Sequence, residues 1–270
     1  MKIKQIISFL RNLYCVPRCG SCDERLSPIP DKGGMTYGKI CLCSVCQAKW
    51  EMAKAQMCHK CGYISEKCTC TPKFLTKGQT RVPSLCFYHP NSGDTQSKII
   101  ITMKRRYQIE LFEFMAIELY PRLKKLLDEA QISEKNIVFT WVPRSRIAEA
   151  ECGFDQGKML AKAVARLFGA KAYPIFLRTG GKEQKKLSRA ERKKNAEVSI
   201  KINASMKKIP RRKRWTVLSE FLKDKTVVII DDVLTSGSTL RRATELLKEY
   251  GHNSTIVACI AKTEENSDKK

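Results

Sequence analysis

Apolar positions recur along this chain in two rhythms, and the architecture it predicts follows from where one gives way to the other. Short β-branched and aromatic runs at 136–142, 226–230 and 254–261 predict buried strands, with shorter strand signals at 83–94, 172–177 and 198–202. Between them the period lengthens to that of a helix. The stretch 97–130 predicts a helix broken near Arg106, with Ile99, Ile100, Met103, Leu111, Phe114, Met115, Ile117 and Leu119 on its apolar face. A second helix is predicted over 153–168, turning Met159, Leu160, Ala163, Val164 and Leu167 inward, and a third over 239–250. Strands alternating with helices imply an α/β fold whose parallel sheet is covered on both faces. Two polar stretches interrupt the pattern, 178–195 and 207–214, and their Lys and Arg content reads as solvated loop.

The N-terminal part is different. Ile3, Ile6, Ile7, Leu10 and Leu13 space out a short amphipathic helix over 1–13. From 15 to 72 the sequence is rich in turn residues and cysteines and poor in periodicity, and such a segment needs a staple to fold. A linker is expected at 71–80. These changes divide the chain into an N-terminal helix and cysteine module (1–80), an α/β domain (81–264) and a polar tail (265–270).

Cysteine placement says what the staple is. Ten of the 13 cysteines lie between Cys15 and Cys70. No segment looks like an export signal or a membrane span, so the chain is expected in the cytoplasm, without membrane insertion, and clustered thiols there favour metal over disulfides. The pairs are Cys19/Cys22, Cys43/Cys46, Cys58/Cys61 and Cys68/Cys70. A C-x₂-C turn presents two thiolates along one edge of a tetrahedron, so these eight residues suffice for two structural Zn²⁺ ions. Iron–sulfur clusters, redox dithiols and free thiols fit the spacing less well. Pairing in sequence order and interleaved pairing both remain open, as does substitution by Cys15 or Cys41. Net charge is +24, which favours polyanionic partners, though a lysine-rich solubilising surface would give the same figure.

The most informative stretch is 227–239, VVIIDDVLTSGST. Asp231 and Asp232 follow an apolar strand, at the sheet edge where parallel α/β folds bind ligands. Thr235, Ser236, Gly237, Ser238 and Thr239 then open a helix, supplying hydroxyls, backbone N–H groups and the positive end of the helix dipole to a phosphate. Two carboxylates beside a phosphate cradle suit a sugar phosphate, the acids taking the vicinal hydroxyls. A P-loop NTPase would need a G-x-x-x-x-G-K-[ST] segment upstream, and there is none.

This stretch resembles the loop of type I phosphoribosyltransferases that binds phosphoribosyl pyrophosphate (PRPP). Within that group the chain resembles the ComF family, which is associated with DNA uptake in competent bacteria. The likeness extends to Trp141-Val142-Pro143, to Gly153-Phe154-Asp155-Gln156, to Leu177, Arg178, Gln184, Leu187, Arg192 and Asn195, and to the cysteine pairs. Cys152 stands where that family carries arginine, and Asp155 where it carries asparagine. Both changes make a presumed anion site less positive.

The resemblance implies a type I phosphoribosyltransferase-like parallel-sheet domain behind a zinc finger, with PRPP or a related ribose phosphate bound together with Mg²⁺. It gives Asp231 and Asp232 the positioning of the ribose and the stabilisation of positive charge at C1. Val142, Pro143, Arg144 and Ser145 would form the pyrophosphate loop. The segment 178–195 would be a hood presenting Arg178, Lys182, Gln184 or Arg192. Three functions follow as expectations: a ComF-type role in natural transformation with single-stranded DNA and other competence or DNA-translocation proteins as partners, phosphoribosyl transfer to a base or amine, or a ribose-phosphate-sensing scaffold. No acceptor pocket can be read, so turnover is left open.

Overall fold

The computed structural model describes residues 17–26, 29–31, 34–36, 41–70, 79, 81–179, 199–203, 208–211 and 214–264. The expected helix over 1–13, nearly all of the 71–80 linker, most of the 178–195 stretch and the 265–270 tail lie outside the described residues. The elements in chain order are β1 (Ile29–Asp31), β2 (Gly34–Thr36), α1 (Ser44–Ala55), β3 (Cys86–Phe87), α2 (Thr95–Arg105), α3 (Ile109–Glu129) and β4 (Ile137–Trp141). They continue with α4 (Arg146–Cys152), α5 (Gln156–Leu167), β5 (Phe176–Arg178), β6 (Ile200–Ile202), β7 (Lys208–Arg211) and β8 (Arg214–Val217). Last come α6 (Leu218–Leu222), β9 (Thr226–Leu234), α7 (Ser238–Glu249) and β10 (Thr255–Lys262).

The central sheet runs β3-β10-β9-β4, and every neighbouring pair in it is parallel. Strand β9 is buried on both faces, and its two sets of side chains sort by the strand period of two. Val228 and Ile230 enter a core with α1, α2, α3 and α5, whereas Val227 and Ile229 enter a second core with α6, α7, β5 and β6. This is the covered parallel sheet that the alternation of apolar runs implies. The helix break near Arg106 is present as the bend between α2 and α3.

Four features depart from the sequence pattern. The basic run at 207–214, read as loop, enters the antiparallel pair β7–β8. The stretch 172–177 splits: Ala172 bridges Phe139 in parallel, while β5 pairs antiparallel with β6. The cysteine region contains a 12-residue helix, α1, whose buried Cys46, Trp50 and Ala53 follow helical spacing. Leu167 and Ile117, expected inward, are exposed because each lies on the outer side of its helix.

The cysteine-rich part and the sheet share one core. Cys19, Cys41, Cys46 and Trp50 pack in the same cluster as Leu111, Phe112 and Met115 of α3. Gly20 allows this approach, since a Cβ there would stand 3.0 Å from both Leu111 methyls. Trp50 is fully buried and its indole N–H donates to Glu118 at 3.3 Å. Lys54 ion-pairs with the same carboxylate, and Arg122 Nε meets Glu66 at 3.1 Å. Gln79 closes the edge of β10, donating to Val257 C=O at 2.7 Å and accepting from its N–H at 3.0 Å.

Candidate functional site

Asp231 and Asp232 are part of β9 itself, which runs four residues farther than the apolar run alone implies. Strand β4 ends opposite Ile230, so both acids project past its end at the carboxyl edge of the sheet. Backbone groups fix the carboxylates: Asp232 N–H donates to Asp231 Oδ1 at 2.9 Å, and Val233 N–H to Asp232 Oδ1 at 2.8 Å. Burial, reinforced by the neighbouring Asp232 carboxylate, holds Asp231 well above the ordinary carboxylate range.

The loop beyond β9 has the form a phosphate requires. Gly237 is the N-cap of α7 with φ +69°, a left-handed conformation that glycine adopts without strain. It has no side chain to cap the helix, so the first turn of α7 presents its N-terminal end to the loop. Ser236 and Ser238 hydroxyls meet at 2.9 Å. Thr235 is exposed at the loop tip, and Thr239 lies in the first turn of the helix.

Two cationic side chains, Arg178 and Lys104, approach the acids, and Arg144 is tied to the second. Arg178, at the end of β5, donates through Nη1 to Pro143 C=O at 3.5 Å, while its Nη2 is buried without a partner among the described residues. Burial pushes its guanidinium below the ordinary arginine value, and the Asp231 and Asp155 carboxylates oppose that shift. Arg144 donates through Nη1 to Lys104 C=O at 2.9 Å. Lys104, near the end of α2, places Nζ 3.2 Å from Asp232 Oδ2. Lys104 went unread in the sequence; its only signal was a basic run, Lys104-Arg105-Arg106, at the carboxyl end of α2.

The loop after β4 is held by local contacts. Val142 is half-buried against the second core, and Ser145 caps α4 by accepting from Ala148 N–H at 3.2 Å. Asp155 is buried, accepting from Arg144 N–H at 3.1 Å and capping α5 through Lys158 N–H at 3.0 Å. Its oxygens thus serve the scaffold, while its charge still reaches Arg178. Cys152 ends α4 and packs against the first core. Lys182, Gln184 and Arg192 lie outside the described residues. The base of their segment is described: Thr179 N–H donates to Ser199 C=O at 2.8 Å, so its two ends meet beside Arg178.

The eight cysteines gather in sequence order, Cys19, Cys22, Cys43 and Cys46 in one group and Cys58, Cys61, Cys68 and Cys70 in the other, with all ligand atoms in each group within 4.8 Å. Both groups could hold a metal ion. Cys22 and Cys43 Sγ stand 3.8 Å apart, against about 3.8 Å for the edge of a tetrahedron with Zn–S bonds of about 2.3 Å. Cys19 Sγ accepts N–H bonds from Ser21 and Cys43; despite burial acting the other way, such backbone bonds bring its thiol down to about 7. Cys41 stays outside the group, and burial pushes its thiol up to about 12. Cys15 lies outside the described residues.

Residues 155–270 match the family model described as the phosphoribosyl transferase domain. The match, the parallel sheet and the cysteine groups together define a phosphoribosyltransferase-type α/β domain preceded by a cysteine-rich part positioned to bind metal. Over residues 155–270 the chain carries a domain similar to the phosphoribosyl transferase family. Among solved structures, a hypoxanthine phosphoribosyltransferase from Staphylococcus aureus aligns at 18% identity over 67% of this chain and 78% of its own, with a TM-score of 0.33. No curated protein matches the chain. No helix among the described residues is long and apolar enough to cross a membrane.

Proposed function

We propose that this protein binds PRPP or a related ribose phosphate with Mg²⁺ at the carboxyl edge of its sheet, and that it acts as a ComF-type protein of natural transformation in the cytoplasm. One observation carries the ribose-phosphate reading: an acid pair held by its own backbone, followed directly by a helix whose first turn has no side-chain cap. The acids accept from the ribose hydroxyls while residues 235–239 hold the 5′-phosphate. Arg178, with a buried donor unspent, and the Val142–Ser145 backbone lie where a C1 diphosphate would extend. Mg²⁺ fits this donor set, since it keeps most of its waters and shares few carboxylates with substrate phosphates. Two Zn²⁺ ions would be structural, held by the eight clustered cysteines.

Calorimetric titration with PRPP and Mg²⁺ tests this directly. Saturable one-site binding is expected, and no heat from a folded, metal-loaded protein would sink the reading. Phosphoribosyl transfer is a second reading, favoured by the cations grouped around Asp231 and Asp232; release of pyrophosphate from PRPP in the presence of bases or amines would support it.

The competence role rests on the ComF resemblance, and the net charge of +24 supports single-stranded DNA as a partner. Affinity for a single strand should fall by about a hundredfold or more between 50 and 200 mM salt if several phosphates are neutralised. A flat salt dependence, or no binding at low salt, would remove DNA from the proposal.

A further inference from the structure

We propose that Lys104 is a diphosphate-binding residue of this site, resting on Asp232 until a ligand carrying a diphosphate on C1 draws its ammonium away. The inference rests on the ribose-phosphate reading and adds a residue to it that no motif marks.

Lys104 is held from two directions. Its carbonyl accepts from Arg144 Nη1 at 2.9 Å, which ties the end of α2 to the loop after β4. The bend that follows is gripped by the first cysteine turn, where Arg106 ion-pairs with Asp23 and Gln108 Nε2 donates to Arg18 C=O at 2.9 Å. Between these anchors the side chain reaches the acid pair, with Nζ 3.2 Å from Asp232 Oδ2.

Folding alone gives little reason for this ion pair. Enclosed charges lose much of their hydration, and apolar replacements are often as stable. Asp232 already accepts from Val233 N–H through its other oxygen. A ligand supplies the missing reason. In a 1-diphosphorylated ribose the diphosphate is attached next to the carbon bearing the 2-hydroxyl. A cation that reaches the hydroxyl-binding acid therefore also reaches the diphosphate. An ammonium on a flexible stem can move between the two without rearranging the backbone. Burial works against its charge, yet Asp232 holds Lys104 above the ordinary lysine value, so it is cationic at neutral pH.

The test compares PRPP with ribose 5-phosphate, which lacks the diphosphate, by calorimetry with Mg²⁺ on the full chain. Lys104→Met should weaken PRPP by about tenfold or more, leave ribose 5-phosphate within about threefold, and Lys104→Arg should restore most of the loss. Lys104→Gln carries the same expectation, keeps a polar group beside Asp232, and serves if the methionine variant does not fold. Equal weakening of both ligands, or no change in either, would reduce Lys104 to a counterion and overturn the proposal. A wild type that binds neither ligand would instead overturn the ribose-phosphate reading and this inference with it.

Discussion

Stripping the cysteine groups of metal is expected to lower the midpoint of thermal unfolding by at least about 10 °C. Without their ion the thiols take up protons and lose the bonds that close each group, and neither group has another covalent staple, because all the described cysteines are free. The damage will not stay local. Cys19 and Cys46 sit in the same core as Trp50, Leu111 and Met115, so opening the first group exposes a face of α3. The second group packs on Phe87, and the fully buried Lys262 donates to Cys68 C=O at 2.9 Å. Lys262 pairs in register with Leu234, whose carbonyl accepts from Thr263 N–H at 2.9 Å just before the phosphate loop. Loss of the second ion should therefore loosen the loop as well as the turn that binds it. Unfolding scans before and after treatment with a thiol-competing chelator, with metal content measured in each sample, provide the check. An unchanged midpoint in a demonstrably metal-free sample would mean that the thiols close these turns unaided.

Such coupling could not be read from the sequence, although its parts could. The C-x₂-C spacings marked the ligands, but spacing is a local property and left the pairing open. The grouping in sequence order comes from the α1 helix, which carries Cys46 on the same buried face as Trp50 and Ala53. The apolar residues of that helix do not keep to one face, since Val45 and Met52 are exposed, and its period was blurred. The acid pair and phosphate loop were legible because they are contiguous and lie on one strand–loop–helix unit. Lys104 was not, because it enters from α2, more than a hundred residues away in sequence, and only the packing of α2 against the sheet brings it to Asp232. Asp155 was legible only in part. Its added negative charge could be read, and it does reach Arg178, but its bonds to Arg144 N–H and the α5 cap could not.

Asp231→Asn should raise the stability of the ligand-free protein while weakening PRPP by at least about a hundredfold. The substitution keeps the side-chain shape and an oxygen to accept from Asp232 N–H. It removes a carboxylate whose ionisation is opposed by burial and by Asp232 beside it. Because the folded value is raised, the folded ligand-free protein retains a proton there that the unfolded chain releases. Its stability from this group is full at low pH and is lost as pH climbs from the ordinary carboxylate value through the raised folded one. The asparagine variant lacks that loss, so the stability difference should grow with pH and be largest at neutral pH and above. Binding changes in the opposite direction. Hydroxyl donors and Mg²⁺ require the anion, and hydrogen bonds to charged groups are worth about 1.5–3 kcal/mol each, so losing two gives about a hundredfold or more. Below the raised folded value of Asp231, the same linkage makes PRPP binding by the wild type release a proton, which titration in buffers of different ionisation enthalpy would detect and the variant would lack. A variant that is less stable at neutral pH, or that binds PRPP as the wild type does, would mean that Asp231 is a structural acid and that the ribose lies elsewhere. Stability gained where binding is lost is the pattern of a residue kept for its ligand at a cost to the fold.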